Sequence, residues 1–277
     1  ADDKGSIYSY NRKKWFGCYS ALQLVNGVSV GLYHTSSANE VEWVVGNSDS
    51  KIVFVGNNPN DNDEKEKMPI HRLMSVIDNL NQVNTIVLMG DDIDIVEHDK
   101  VITWDQFINK GKDVKEQSIL DMLNNISADN TTSLIYTSGT TGRSKGAMLT
   151  HRNLISNAQV LRDAWKFTSQ DILLHALPIF HTHGLFVATN LTLLTGSSMI
   201  FLPKFEVGEV TRLIEKATVM MGVPTFYVRL LGSNNFDKER TKSIRLFVSG
   251  SAPLLAETHK SFEEKTGHKI LERYGMT

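Results

Sequence analysis

Of 277 residues only one is a cysteine, Cys18, so the chain can close no internal disulfide and build no cysteine zinc site, which suits a reducing compartment. Neither sign of charge is in surplus. Against 29 Lys and Arg stand 31 Asp and Glu, for a net charge of −2. That balance removes the bulk attraction that drives binding to nucleic acid or to an anionic membrane. A long hydrophobic run is also missing. The most apolar stretch, residues 183–203, is interrupted by Gly184, Thr189, Asn190, Thr192, Thr195, Gly196, Ser197 and Ser198. A spanning helix takes about 20 mostly apolar residues, so this stretch reads as a buried helix followed by a buried strand. The N-terminus lacks the basic start and apolar core of a secretory signal. These absences point to an intracellular, cytoplasmic protein; a mitochondrial placement would depend on residues ahead of Ala1.

What is present is globular. Hydrophobic residues make up 41% and charged residues 22%, which excludes wholesale disorder. At about 150 residues per domain the length suggests two units. Short apolar runs, such as residues 28–33, 52–55 and 85–89, alternate with helix-period segments. From residue 132 the rhythm tightens: strands are expected at 133–137, 147–150, 172–176, 198–202, 218–221 and 245–249, with helices between them. This alternation argues for an α/β fold of layered, largely parallel sheets flanked by helices. The expected division is a first α/β subdomain over residues 1–130 and a second over 131–277. Residues 56–67, rich in Asn, Asp and Lys, read as a solvated loop.

The strongest chemical signal is Leu134-Ile135-Tyr136-Thr137-Ser138-Gly139-Thr140-Thr141-Gly142-Arg143-Ser144-Lys145-Gly146. An apolar strand runs into glycines, hydroxyls and one lysine. Glycines let backbone N–H groups close on a phosphate, hydroxyls add neutral donors, and lysine adds a point charge. The bland alternative is an ordinary turn between two strands. It is not the Walker loop, which needs Gly-Lys-Ser/Thr together and a helix behind; here Lys145 lies between Ser144 and Gly146, and strand-like residues follow.

This segment resembles the signature loop of the adenylate-forming superfamily: acyl-CoA synthetases, firefly-type luciferases and peptide-synthetase adenylation domains. Three further segments extend the resemblance in the family's order: residues 177–185 (LPIFHTHGL), 248–254 (VSGSAPL) and 272–277 (ERYGMT). The resemblance implies an ATP-dependent ligase that joins a carboxylic acid to AMP and passes the acyl group to coenzyme A, with Mg²⁺ as cofactor. It implies an ATP site made of Thr137, Ser138, Gly139, Thr140, Thr141, Gly142 and Lys145 around the phosphates, with Thr141 also toward the metal. Tyr274 would stack on adenine with Gly275 beside it, and Gly250, Ser251 and Ala252 would line its other face. Thr277 would reach the α-phosphate, and His183 would border the acyl pocket and steady the reacting carboxylate, making His183, Lys145 and Thr277 the catalytic set. His181 and His183 could also suggest a metal, but no carboxylate or cysteine stands near them at ligand spacing.

For the acid, the resemblance puts His183, Arg229, Ser249 and Arg273 around the acyl group. A hydrocarbon tail has no use for a buried guanidinium, whereas a dicarboxylate does. Residues 132–277 look most like malonyl-CoA synthetases, in which the positions of Arg229 and Arg273 hold the distal carboxylate; residues 1–115 look more like medium- and long-chain fatty acyl-CoA synthetases. Malonate is therefore the expected acid, with a fatty acid as the alternative. A carrier-loading adenylation domain, or a nucleotide-binding piece without turnover, are further alternatives. A serine hydrolase fits badly, since Ser249-Gly250-Ser251-Ala252 is not a Gly-x-Ser-x-Gly elbow. The family's acidic Mg²⁺ residue would follow Thr277, and its small C-terminal domain would come later, so residues 1–277 alone are expected not to turn over.

Overall fold

A computed structural model describes residues 2–57, 68–90, 96–137 and 142–275. Of the loop expected at 56–67, Gly56 instead ends the strand Ser50–Gly56, where it pairs with Ser9, and the residues beyond Asn57 lie outside the described residues. The chain forms two compact units, Ala1–Asn153 and Leu154–Thr277. The sequence put the change at 130/131. The structure draws it later because the two strands that flank the glycine-rich loop pair into the first unit's sheet.

In the first unit, among the described residues, β1 (Lys4–Ser9), β2 (Val28–Leu32), β3 (Ser50–Gly56), β4 (Thr85–Leu88), β5 (Val101–Thr103), β6 (Thr131–Thr137) and β7 (Lys145–Thr150) form one sheet in the order β5-β4-β3-β1-β2-β6-β7. Every neighbouring pair is parallel except β6 and β7. β2 is buried along its length because helices cover both faces of a parallel sheet. Its serine would be costly there without a partner, so Ser29 Oγ meets Ser133 Oγ at 2.7 Å, and Ser6 Oγ on β1 meets Ser50 Oγ at 2.7 Å. The helix Ala38–Asn47 starts in a capping box between Ser37 and Glu40.

In the second unit, β8 (Ile172–His175), β9 (Ser198–Phe201), β10 (Val219–Gly222), β11 (Leu246–Ser249) and β12 (Ile270–Glu272) form a parallel sheet ordered β12-β11-β10-β8-β9. Its core stacks aromatic rings edge to face: Tyr227 and Phe247 each meet Phe262, at 5.5 and 4.9 Å between centroids. Each such contact adds about 0.5–1.5 kcal/mol beyond area burial. A clasp closes the opposite end of the sheet from the strands' carboxyl termini. Arg245 takes Asp171 in two bonds of 2.7 Å, and Asp171 also accepts from the backbone N–H of Thr168 and from the Thr218 hydroxyl.

The expected helix after residue 184 is there, with a difference. His183–Thr189 winds as a π-helix before Asn190–Thr195 continues as α-helix. No helix among the described residues is long and apolar enough to cross a membrane.

Candidate functional site

The glycine-rich loop joins two antiparallel strands, so its ends are held side by side: Thr137 pairs with Lys145, and Tyr136 with Gly146. Lys145 heads β7 with its side chain exposed. Gly142 has φ +98°, a left-handed conformation that side chains rarely adopt. The loop's trailing stem is tied to the helix Ala38–Asn47. Trp43 donates from Nε1 to the Ser144 carbonyl at 2.8 Å, and the Arg143 guanidinium lies over the Trp43 ring, 4.6 Å from its centroid. Tyr136 donates its hydroxyl to Asn47 Oδ1 at 2.7 Å. Beside this stem a cleft of about 1210 Å³ opens among Trp43, Asn47, Tyr136, Gly142, Arg143 and Ser144. Ser138, Gly139, Thr140 and Thr141 lie outside the described residues, as does Thr277.

The second unit gathers three separate sequence segments at the carboxyl ends of its parallel strands, where open α/β sheets bind ligands. β11 ends at Ser249 and runs into Gly250, Ser251 and Ala252. β12 ends at Glu272, and the Arg273 N–H donates to the Ser249 carbonyl at 2.9 Å, which sets Arg273 beside Gly250. The His183 ring comes from the π-helix that follows β8. A Cβ on Gly250 would lie 3.0 Å from Arg273 Cγ and 3.2 Å from His183 Cε1, so glycine is what lets the two side chains close over this backbone. His183 Nδ1 lies 3.2 Å from Ser251 Oγ.

The electrostatics of this cluster follow from burial. Burial, and then the nearby charge of Arg273, pushes the His183 imidazole down to about 3; burial pushes His175 down to about 4 and lowers His181, with Arg273 adding to the latter. All three rings are neutral at pH 7. Burial also lowers the Arg273 guanidinium. No carboxylate pairs with Arg273 among the described residues. Its neighbour Glu272 is engaged elsewhere, accepting from the Leu254 N–H at 3.0 Å and lying 3.5 Å from His259. His183 Nε2 and Ser249 Oγ are buried without a partner among the described residues. A half-buried cation beside unfilled polar atoms is a setting that an anion would satisfy.

Other residues singled out in the sequence are placed as follows. Tyr274 does not pack on the core; it is 87% exposed, which leaves its ring face open to stacking. Ala252 and Gly275 are exposed. Arg229, on the helix Pro224–Leu231, is exposed and lies over the Phe205 ring, 4.9 Å from its centroid. Among the described residues no three His, Cys, Asp or Glu side chains gather as a metal site.

Two supporting features were not read from the sequence. Buried His175, at the end of β8, sets Nε2 2.9 Å from the Gly184 carbonyl and 3.1 Å from Thr189 Oγ1, and Thr189 donates to the same carbonyl at 2.8 Å. Together they hold the π turn that presents His183. A histidine ending an apolar strand carries no local pattern that marks this role. The Trp43 anchor lies about a hundred residues from the loop it supports, beyond any spacing argument.

Comparison with known proteins places this geometry. The AMP-binding enzyme family matches residues 1–277. A malonate–CoA ligase of Arabidopsis thaliana is 42% identical over an alignment of 164 residues that covers 52% of this chain and 27% of that protein. A long-chain-fatty-acid–CoA ligase of Bacillus subtilis (strain 168) is 38% identical over 149 residues, 52% of this chain and 26% of that one. The ATP-bound structure of MatB from Rhodopseudomonas palustris is 38% identical with a TM-score of 0.79, and covers 100% of this chain and 50% of its own. The chain thus spans about half of that solved protein, and the matched stretches are about a quarter of the two curated relatives.

Proposed function

Because the chain belongs to the AMP-binding enzymes, we infer that it supplies the ATP- and acid-binding part of an acid–CoA ligase, with malonate as the acid. The observation that carries this reading is Arg273. Its stem lies against Gly250, on which the His183 ring also closes, its half-buried guanidinium lies beside Gly275, and it has no carboxylate partner among the described residues. A dicarboxylate would supply one, and the Arabidopsis relative named for malonate supports the choice.

In the proposed reaction a carboxylate oxygen of the acid attacks the α-phosphorus of ATP. The bond to pyrophosphate breaks with its electron pair, leaving acyl-AMP. The sulfur of coenzyme A then attacks the acyl carbon, AMP departs with the C–O electron pair, and the thiol proton passes to solvent. Lys145, held opposite Thr137 by the β6–β7 ladder, gives a positive charge to the departing pyrophosphate. Ser138, Thr140 and Thr141 add hydroxyls, and Thr277 reaches the α-phosphate. Magnesium, when bound, would screen phosphate charge, with the Thr141 hydroxyl as the ligand this chain offers. Tyr274 stacks on adenine opposite Gly250, Ser251 and Ala252. His183, neutral and buried, donates a hydrogen bond to the acid's carboxylate.

The second reading is a medium- or long-chain fatty acid. It is favoured by Arg229, which is exposed and lies over the Phe205 ring, and by the Bacillus relative. Pyrophosphate release separates the two, measured with malonate, methylmalonate, acetate, octanoate and palmitate. The protein would be a polypeptide that continues these residues through the small domain the resemblance implies. Malonate should be preferred, and Arg273→Ala should weaken its use by about 2–5 kcal/mol. Preference for palmitate, with Arg273→Ala silent, would favour the fatty acid.

A further inference from the structure

We propose that Ser251 is a positioning residue that fixes the tautomer of His183, placing the ring proton on Nε2 where it faces the incoming acid. This deepens the acid–CoA ligase reading and rests on it for the identity of the acid.

The backbone gives the first observation. Ser251 has φ +72°, a conformation that glycine adopts freely and L side chains rarely do. Most of the other non-glycine residues with positive φ are Asp or Asn, which tolerate it through their own side-chain bonds: Asp2, Asn26 and Asp49. A serine held there, directly after Gly250, aims its hydroxyl at one atom, His183 Nδ1, 3.2 Å away.

The ring gives the second. His183 is 2% exposed, so water does not choose its tautomer. Its Nε2 is buried without a partner among the described residues. The Cε1 carbon between the two nitrogens lies against Gly250, with the Arg273 stem on the same glycine. Two arrangements satisfy the Ser251 contact. If Nδ1 carried the proton it would donate to Ser251 Oγ, and Nε2 would turn a lone pair toward the acid, where two electron-rich atoms repel. If Ser251 donates its O–H to Nδ1, Nε2 keeps the proton and becomes a donor.

Arg273 is the cation nearest in effect, and His181 and His175 are the other titratable groups that act on the ring. The Ser251 hydroxyl, donating to Nδ1, occupies that lone pair and leaves the proton on Nε2. His181 Nδ1 accepts from the His183 backbone N–H at 3.3 Å.

The test is nuclear magnetic resonance of the 277-residue chain with ¹⁵N-labelled histidine, reading one- and two-bond couplings between ring protons and nitrogens. His183→Asn assigns the signal. Wild type should show His183 protonated at Nε2 and bare at Nδ1. Ser251→Ala should move the proton toward Nδ1, and Ser251→Gly should do the same although it relieves the backbone strain, which separates the hydroxyl from the loop conformation. Calorimetry with malonate should show binding about tenfold weaker in both variants, the scale of one lost hydrogen bond. A wild-type ring protonated at Nδ1, or a tautomer unchanged in both variants, would overturn the assignment of Ser251. A wild type that binds no malonate, with the tautomer following Ser251 as stated, would overturn the malonate reading and uphold the serine's role.

Discussion

Gly184 stands against the backbone of Pro178: a Cβ at position 184 would lie 2.1 Å from the Pro178 carbonyl oxygen. The obstacle is main chain, so no rotamer relieves it. The glycine of the His183-Gly184 pair is therefore a packing requirement, and it lets the π turn fold back onto the loop that carries Leu177-Pro178-Ile179. Gly184→Ala should destabilise the second unit by about 3 kcal/mol, at the upper end of ordinary overpacking, as read by urea unfolding. A variant as stable as wild type would mean that the turn can move away from Pro178.

The Asp171–Arg245 clasp should matter for stability and not for ligands. Asp171 is 4% exposed and Arg245 is much less covered. Arg245→Ala strands a buried carboxylate that keeps only its Thr168 and Thr218 donors. The expected loss is about 3 kcal/mol, with ATP binding per folded molecule unchanged. An unchanged urea midpoint would contradict this.

Acid should unfold the second unit in two stages. His175 and His183 are kept neutral in the folded state, at about 4 and about 3, by burial first. In the unfolded chain an imidazole takes a proton near pH 6.5, so their contribution is complete above that and is lost as pH falls toward the folded values. For Asp171, burial raises the carboxyl, but Arg245 and its other donors outweigh it and leave it below the usual range. Its contribution therefore holds above about pH 4 and drains away below. Urea midpoints measured from pH 8 to pH 3 should begin to fall near pH 6.5, and the double substitution His175→Asn, His183→Asn should flatten that first limb. A wild type with a level midpoint down to pH 4.5 would show that these rings are not held neutral.

Cys18 offers a reporter of the first unit. It is buried, with Sγ 4.0 Å from Met89 Sδ, and burial pushes its thiol up to about 12. A thiol reagent at pH 8 should leave the native chain unlabelled and react in step with urea unfolding. Rapid labelling without urea would place the thiol at the surface.

The parts of this protein that announce themselves in sequence are those with a local cause. Continuous apolar runs marked β2, β3 and β8 because both faces of each are covered. Of the four edge strands among the described residues, β7 and β9 were expected and β5 and β12 were not: each of the latter has only three residues, β5 with none fully buried and β12 with only Ile270, too short to leave a pattern of period two. The helix Trp104–Lys110 was missed as well, although Thr103 and Gln106 form a capping box that the spacing Thr-x-x-Gln signals. Gly250 was legible as a loop glycine, but not its reason, since Arg273 and His183 arrive from 23 residues after it and 67 before it. The π turn and its hold by His175 depend on a contact between strand end and helix that no periodicity encodes.

The most direct measurement is a crystal structure of the chain with malonate and a nonhydrolysable ATP analogue. One carboxylate of malonate should sit on the Arg273 guanidinium with the other within hydrogen-bonding distance of His183 Nε2, and the analogue's terminal phosphates should lie on the backbone ahead of Lys145. Malonate bound away from Arg273, or phosphates away from that loop, would contradict the account.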